Sequence, residues 1–103
     1  MNYVGHGGET GLALERAVVI PQILDWENIN KLTLFVSATC EFTRFDDPSR
    51  QSAGEYMYLS GQGGAVSLMT TTRPVYINVN SVVGAALYDY VFTRDAQGRP
   101  IAM

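Results

Sequence analysis

The chain has one cysteine and one histidine, and both stand in sequence contexts that suit catalysis. His6 lies in the glycine-rich run Gly5 to Gly11, and Cys40 directly follows the apolar run Leu32 to Ala38 and Thr39. A thiolate is a strong nucleophile, and a nearby imidazole can protonate an amine leaving group. Because glycine leaves its main-chain N–H unshielded, we predict that the amides of Gly7 and Cys40 hold an oxyanion. This combination indicates acyl transfer by a cysteine nucleophile.

Four neighbouring residues are weaker candidates for substrate contacts. Glu9 and Glu41 flank the two motifs and could tune the imidazole or meet a substrate, although carboxylates on loops are more often solvated. Thr72 and Arg73 end a later apolar run, where an extended substrate could take main-chain hydrogen bonds. Ordinary strand termination explains Thr72 and Arg73 equally well.

The composition excludes several classes of function. Of the 103 residues, 47% are hydrophobic and 17% are charged, which is typical of one small globular domain spanning residues 1–103. The formal charge of −3 comes without a basic stripe, so we expect no nucleic-acid partner. No apolar run is long enough to span a bilayer, and no leader segment is visible.

We also predict no metal and no cofactor. One cysteine with one histidine falls short of the four ligands of a structural zinc site. Asp46 and Asp47 are adjacent but lack the spacing of a known calcium loop, so we expect them to serve a turn or a helix entry.

Three apolar segments are predicted to be strands. The second and third are continuous runs rich in apolar and β-branched residues, which is typical of strands covered on both faces of a parallel sheet, and the first is interpreted as the end of a strand. They run over Asn2–Val4, Leu32–Ala38 and Ala65–Thr72.

Three segments between and after these strands are predicted to be helices. Pro21 suits the first turn of a short helix, and Ser52 with Glu55 has the spacing of a reciprocal helix cap. The last helix is predicted over Ser81–Phe92, with one apolar face at helical spacing formed by Val83, Leu87, Tyr90 and Val91.

Alternation of strands and helices predicts an α/β fold with a parallel sheet. Ligands of such sheets bind beyond the carboxyl ends of the strands. His6 and Cys40 each follow such an end, on strands that could be neighbours. We therefore expect the fold to bring them together.

Two motifs, Tyr-Val-Gly-His6-Gly-Gly-Glu and Ser-Ala-Thr-Cys40-Glu, together resemble the gingipain family of caspase-like cysteine peptidases. The likeness covers roughly His6 to Phe92 and includes Phe42–Pro48, Ser52–Glu55 and Gly63–Arg73. This wider set is similar to the sortase-like members that serve the bacterial type IX secretion system.

The resemblance implies a caspase-like parallel sheet with flanking helices, present here as a truncated βαβαβα portion. It implies that Cys40 is the nucleophile, that His6 protonates the departing amine, and that the Gly7 and Cys40 amides hold the oxyanion. The first strands of the fold, with residues that orient the histidine or form the substrate pocket, are expected to precede Met1. The chain would then be the C-terminal part of a catalytic domain.

The resemblance also implies the partners and the location. Sortase-like members remove a carboxyl-terminal secretion domain and can pass the acyl group to an amine of a surface glycolipid instead of to water. We therefore expect a polypeptide substrate, contacts with secretion-system proteins, and a location at the bacterial cell surface or outside the cell.

Two other functions stay open on the sequence. Gly5 to Gly11 could be a phosphate-cradling turn of a small-ligand binding module, although no complete nucleotide-binding motif is present and no clear helix follows. The chain could instead be an inactive structural part that associates with another copy of itself through an exposed sheet edge.

Overall fold

Four strands precede the first helix in the computed structural model, which describes residues 1–101, and longer strands then alternate with helices. A single 3₁₀ turn at Ile29–Lys31 precedes the longest strand. The remaining elements, in chain order, are β1 (Asn2–Val4), β2 (Gly7–Gly8), β3 (Gly11–Leu12), β4 (Val18–Val19), α1 (Ile20–Leu24), β5 (Thr33–Ala38), α2 (Ala53–Leu59), β6 (Ala65–Met69) and α3 (Ile77–Phe92).

The main sheet has the strand order β1-β5-β6, with β5 in the centre. Both pairs are parallel, and Val4 of β1 lies opposite Ala38 of β5. The predicted α/β class with a parallel sheet and flanking helices is confirmed. The strand predicted over Ala65–Thr72 ends earlier, at Met69, and beyond it the Thr71 carbonyl accepts the Thr43 N–H at 3.1 Å instead of pairing with β5.

A second, small antiparallel sheet of β2, β3 and β4 was not predicted. Gly8 lies opposite Gly11, so Glu9 and Thr10 form a two-residue hairpin turn. A residue with a side chain does not fit at position 11, where φ is +154° and an added Cβ would be 2.3 Å from the Val18 carbonyl oxygen. The glycine-rich run is therefore a hairpin, and its strands are too short to show an alternating apolar pattern.

The hydrophobic core lies between the main sheet and helices α1 and α2. Phe35 of β5 and Phe42 are both fully buried and stack with their ring centroids 5.5 Å apart. Helix α2 begins as predicted, since the Glu55 carboxylate accepts hydrogen bonds from the Ser52 N–H (2.8 Å) and hydroxyl (2.7 Å). Other core members are Leu12, Val18, Ile23, Ala53, Met57 and Ala65.

Helix α3 differs from its prediction in its start and its inner face. It begins at Ile77 rather than Ser81, and none of its residues is fully buried. Val83 and Tyr90, predicted to face inward, are 45% and 70% exposed. The less exposed side carries Leu87 and Val91 as predicted, together with Asn80, Gly84 and Tyr88. Within residues 1–101, no helix has the length and apolarity required to cross a membrane.

Candidate active site

The two predicted catalytic residues follow neighbouring strands at the same edge of the main sheet. The parallel ladder between β1 and β5 ends with Val4 opposite Ala38, and the Gly5 N–H donates to the Ala38 carbonyl at 3.3 Å. His6 and Cys40 each lie two residues beyond the last pair. Both line one open cavity of about 680 Å³. The fold thus brings together the only imidazole and the only thiol of the chain.

The rest of this cavity is largely apolar. Its walls include Tyr76 and Ile77 at the start of α3, whose side chains are 82% and 78% exposed. The Cys40 thiol is partly buried and reaches the Val75 carbonyl oxygen at 3.9 Å, a long contact even for a sulfur donor. Among the described residues that line the cavity, none is Asp, Glu, Lys or Arg. The thiol therefore faces a neutral, mostly apolar surface.

The His6 main chain is fixed by the hairpin and by Tyr3. The His6 carbonyl accepts hydrogen bonds from the Ala13 N–H at 2.8 Å and from the Tyr3 hydroxyl at 3.1 Å. Opposed residues along two antiparallel strands alternate between hydrogen-bonded and non-hydrogen-bonded pairs. Because Ala13 is hydrogen-bonded to His6, the next pair, Gly7 and Leu12, is a non-hydrogen-bonded one. The Gly7 N–H consequently points away from β3 and stays outside the hairpin ladder.

Gly7 is in close contact with the residue that precedes the cysteine. A Cβ added at Gly7 would be 2.9 Å from the Thr39 Cβ and 3.1 Å from the Leu12 side chain. Thr39 and Leu12 are both buried and cannot easily give way. The absence of a side chain at position 7 therefore allows the loop that carries His6 (the histidine loop) to pack onto the loop that carries Thr39 and Cys40 (the cysteine loop). Gly7 itself lines a separate hollow on the hairpin, which His6 also lines.

Glu9 is placed between the two loops, away from the cavity lining. Its side chain is 11% exposed and pairs with Arg44 at 2.8 Å and with Arg50 at 2.9 Å. The hydrogen bond to Glu9 raises the pKa of Arg44 above its usual value. Glu41 lies 3.6 Å from Arg44 and has a left-handed backbone, with φ of 50°. The carboxylate of Glu9 thus ties the loop after His6 to the loop after Cys40.

Thr72 and Arg73 lie beyond the end of β6, outside the lining of the cavity that holds His6 and Cys40. The Arg73 guanidinium pairs with both carboxylate oxygens of Asp46, with Nη1 to Oδ1 at 2.8 Å, and also donates to the Thr72 carbonyl. The hydrogen bonding from Arg73 to the carboxylate lowers the pKa of Asp46 below its usual value. The Asp47 carboxylate accepts from the Ser49 hydroxyl and N–H, which lowers its pKa to about 2.

Replacing Glu9 by glutamine is expected to lower the thermal unfolding midpoint by about 5 °C. The change replaces the mostly buried carboxylate of Glu9 by a neutral amide and leaves Arg44 and Arg50 without their anionic partner. Glu15→Gln is the matched control, because Glu15 is exposed and forms no ion pair within residues 1–101. Thermal denaturation followed by circular dichroism measures both. Equal unfolding midpoints for the two variants would show that Glu9 does not stabilise the contact between the two loops.

The glycine-rich run does not have the geometry of a phosphate-cradling turn. Such a turn presents its N–H groups at the start of a helix, whereas Gly5 to Gly11 leads into β2 and β3, and the next helix begins at Ile20. Within the described chain, no group of three or more His, Cys, Asp or Glu side chains is placed to hold a metal ion.

The sequence interpretation missed the segment Val75 to Asn80 as part of the site. No element and no site residue was predicted between Arg73 and Ser81. The signal available in the sequence was the run Val75, Tyr76 and Ile77, three consecutive large apolar residues directly after Pro74.

Comparison with known proteins gives one match. A family model described as "Peptidase family C25" matches residues 1–103, the whole chain. No curated protein and no solved structure matches the chain.

Proposed function

Because the chain belongs to peptidase family C25, the gingipain family of cysteine peptidases, we propose that it cleaves or transfers peptide acyl groups through a thioester on Cys40. The observation that carries this proposal is the shared cavity of His6 and Cys40 at the carboxyl edge of two paired parallel strands. We place residues 1–103 within the catalytic domain of such a peptidase.

The proposed reaction begins with attack of the Cys40 sulfur on the scissile carbonyl carbon. The thiol proton passes to the His6 imidazole, and the carbonyl electron pair becomes an oxyanion held by the N–H groups of Gly7 and Cys40. Collapse of this tetrahedral intermediate breaks the C–N bond, and His6 gives its proton to the departing amine. A thioester on Cys40 remains.

The second half of the reaction frees the enzyme. Water or an acceptor amine attacks the thioester carbonyl and loses a proton to His6, which returns the proton to the Cys40 sulfur as the C–S bond breaks. With water the product is a carboxylic acid, and with an amine it is a new amide. The sortase-like motifs Gly63–Arg73 and Phe42–Pro48 favour the amine as one acceptor.

The proposed substrate is a polypeptide, specifically the junction before a carboxyl-terminal secretion domain. The proposed location is the bacterial cell surface or the exterior, with secretion-system proteins as partners. These assignments rest on the resemblance of the motifs. Self-association through the outer strand β1 or β6 is a further proposal, supported by their position at the edges of the sheet.

Labelling with a peptide-like thiol electrophile tests the pairing of His6 with Cys40. Wild-type protein is expected to be labelled at Cys40 about tenfold or more faster than His6→Ala, because a nearby imidazole increases the reactive thiolate fraction. Intact-protein mass spectrometry over time gives both rates. The chain has one cysteine, so each added mass reports that site alone.

A variant at the other side of the molecule controls for nonspecific effects. Lys31→Ala removes a charge from the exposed 3₁₀ turn before β5, at the opposite end of the strand from Cys40. It should be labelled at the wild-type rate. Equal, slow labelling of wild type and His6→Ala would contradict the proposed dyad.

A further inference from the structure

The peptide bond between Thr39 and Cys40 lies outside the sheet ladder but is fixed by two side chains. The Thr39 carbonyl accepts hydrogen bonds from the Thr71 hydroxyl and from the Asn80 side-chain amide, the latter at 3.4 Å. Thr71 follows β6, and Asn80 lies in the first turn of α3. One carbonyl oxygen therefore joins three parts of the fold, next to the predicted nucleophile.

The N–H of the same peptide bond is free. Among residues 1–101, no main-chain or side-chain acceptor receives the Cys40 N–H. The chain turns sharply at the next residue, since Glu41 has a φ of 50° that L-amino acids rarely adopt. Neither a strand nor a helix thus determines the direction of this N–H.

A planar trans peptide bond links the two groups rigidly. Its carbonyl oxygen and its N–H point in opposite directions, so a fixed C=O direction also fixes the N–H direction. Thr71 and Asn80 hold the Thr39 carbonyl oxygen on one side of the chain. The Cys40 N–H must then be aimed at the other side.

We propose that Thr71 and Asn80 are positioning residues that orient the Cys40 N–H as an oxyanion donor. The inference rests on the proposed function, in which that N–H stabilises the tetrahedral intermediate. Neither side chain needs to touch the substrate. Their effect passes through the Thr39 carbonyl, because an oxyanion donor works only when it is aimed at the charge that develops in the transition state.

Thr71→Val is the direct test, since it replaces the hydroxyl by a methyl group of similar size. Its kcat for a peptide ester substrate is expected to fall about tenfold to a hundredfold, with KM changed less than threefold. Thr71→Ser keeps the hydroxyl and should retain most of the wild-type kcat. Thr33→Val is a matched control, because Thr33 also donates a hydroxyl to a carbonyl but lies at the opposite end of β5.

Alkylation by iodoacetamide separates orientation of the N–H from damage to the thiol. This reaction consumes the Cys40 thiolate but forms no oxyanion, so Thr71→Val should be alkylated at the wild-type rate. Loss of alkylation together with loss of ester turnover would overturn the inference. Normal turnover in Thr71→Val would also overturn it.

The ¹⁵N order parameter of the Cys40 amide tests the same inference without turnover. It is expected to fall in the double variant Thr71→Val with Asn80→Ala and to stay at the wild-type value in Thr71→Ser. An unchanged order parameter in the double variant would contradict the positioning role even if wild type proved inactive. Inactive wild type with a lowered order parameter would instead count against the proposed function alone.

Discussion

Cys40→Ala is expected to abolish turnover of peptide and ester substrates, with a loss of about 10⁴-fold or more. In the proposed mechanism this side chain supplies the atom that forms the acyl intermediate, and the chain contains no second thiol to replace it. Release of a chromogenic amine or alcohol, followed at saturating substrate, measures the loss. Trapping a thioester by rapid acid quench of wild type would identify the same atom as the acyl carrier.

The matching substitution Cys40→Ser separates chemistry from folding. Serine is close in size to cysteine, but its hydroxyl is a far weaker nucleophile at neutral pH, so turnover should fall nearly as much as in Cys40→Ala. Because Cys40 is only partly buried, both variants should keep the wild-type circular dichroism spectrum. Turnover within tenfold of wild type in Cys40→Ala would exclude the thioester mechanism.

Gly7→Ala is expected to lower kcat about a hundredfold. The added methyl group would lie 2.9 Å from the Thr39 Cβ, which is closer than two non-bonded carbon atoms approach in proteins. Thr39 is only 1% exposed and has little room to move. The histidine loop must therefore move away from Thr39 and from the peptide that precedes the cysteine. Such a shift separates His6 from Cys40 and moves the Gly7 N–H from its place.

The neighbouring glycine provides a stringent control for this prediction. A Cβ added at Gly8 meets no atom of the described chain within 4 Å, so Gly8→Ala should keep turnover within about twofold of wild type. The two variants carry the same chemical change one residue apart in the same loop. Similar kcat values for both would show that the contact with Thr39 does not matter for the reaction.

The main sheet was predictable because its strands carry a strong local signal. The run Leu34 to Val36 is continuously apolar, and its Phe35 and Val36 are buried in the sheet. Helix α2 was equally clear, since Ser52 and Glu55 cap it by contacts that depend on their spacing alone.

The small hairpin and the inner face of α3 were not predictable in the same way. Strands of two residues are too short for a periodic pattern, and the hairpin is held mainly by main-chain bonds such as Ala13 N–H to the His6 carbonyl. Helix α3 is apolar on nearly every side, so its pattern does not indicate which side meets the sheet.

Within the candidate site, the two proposed catalytic residues were visible in the sequence, and the residues proposed to support them were not. His6 and Cys40 are unique in the chain and stand next to recognisable strand ends. The partners of Glu9, in contrast, lie 35 and more positions away and carry no local signal. Thr71 and Asn80 act on one carbonyl through tertiary contacts, which a residue pattern does not encode.

The parallel register of β1 and β5 has a consequence for how the candidate active site can vary over evolution. The separation of His6 and Cys40 in space is set by the pairing of Val4 with Ala38, not by the length of the connection between the strands. Insertions into the exposed stretch from Leu14 to Ala17 would lengthen that connection without shifting either residue along its strand. A single-residue deletion between Val4 and His6, in contrast, would move the imidazole by one position relative to the thiol. Gene variants should therefore tolerate length changes far from the strand ends and almost none within two residues of them.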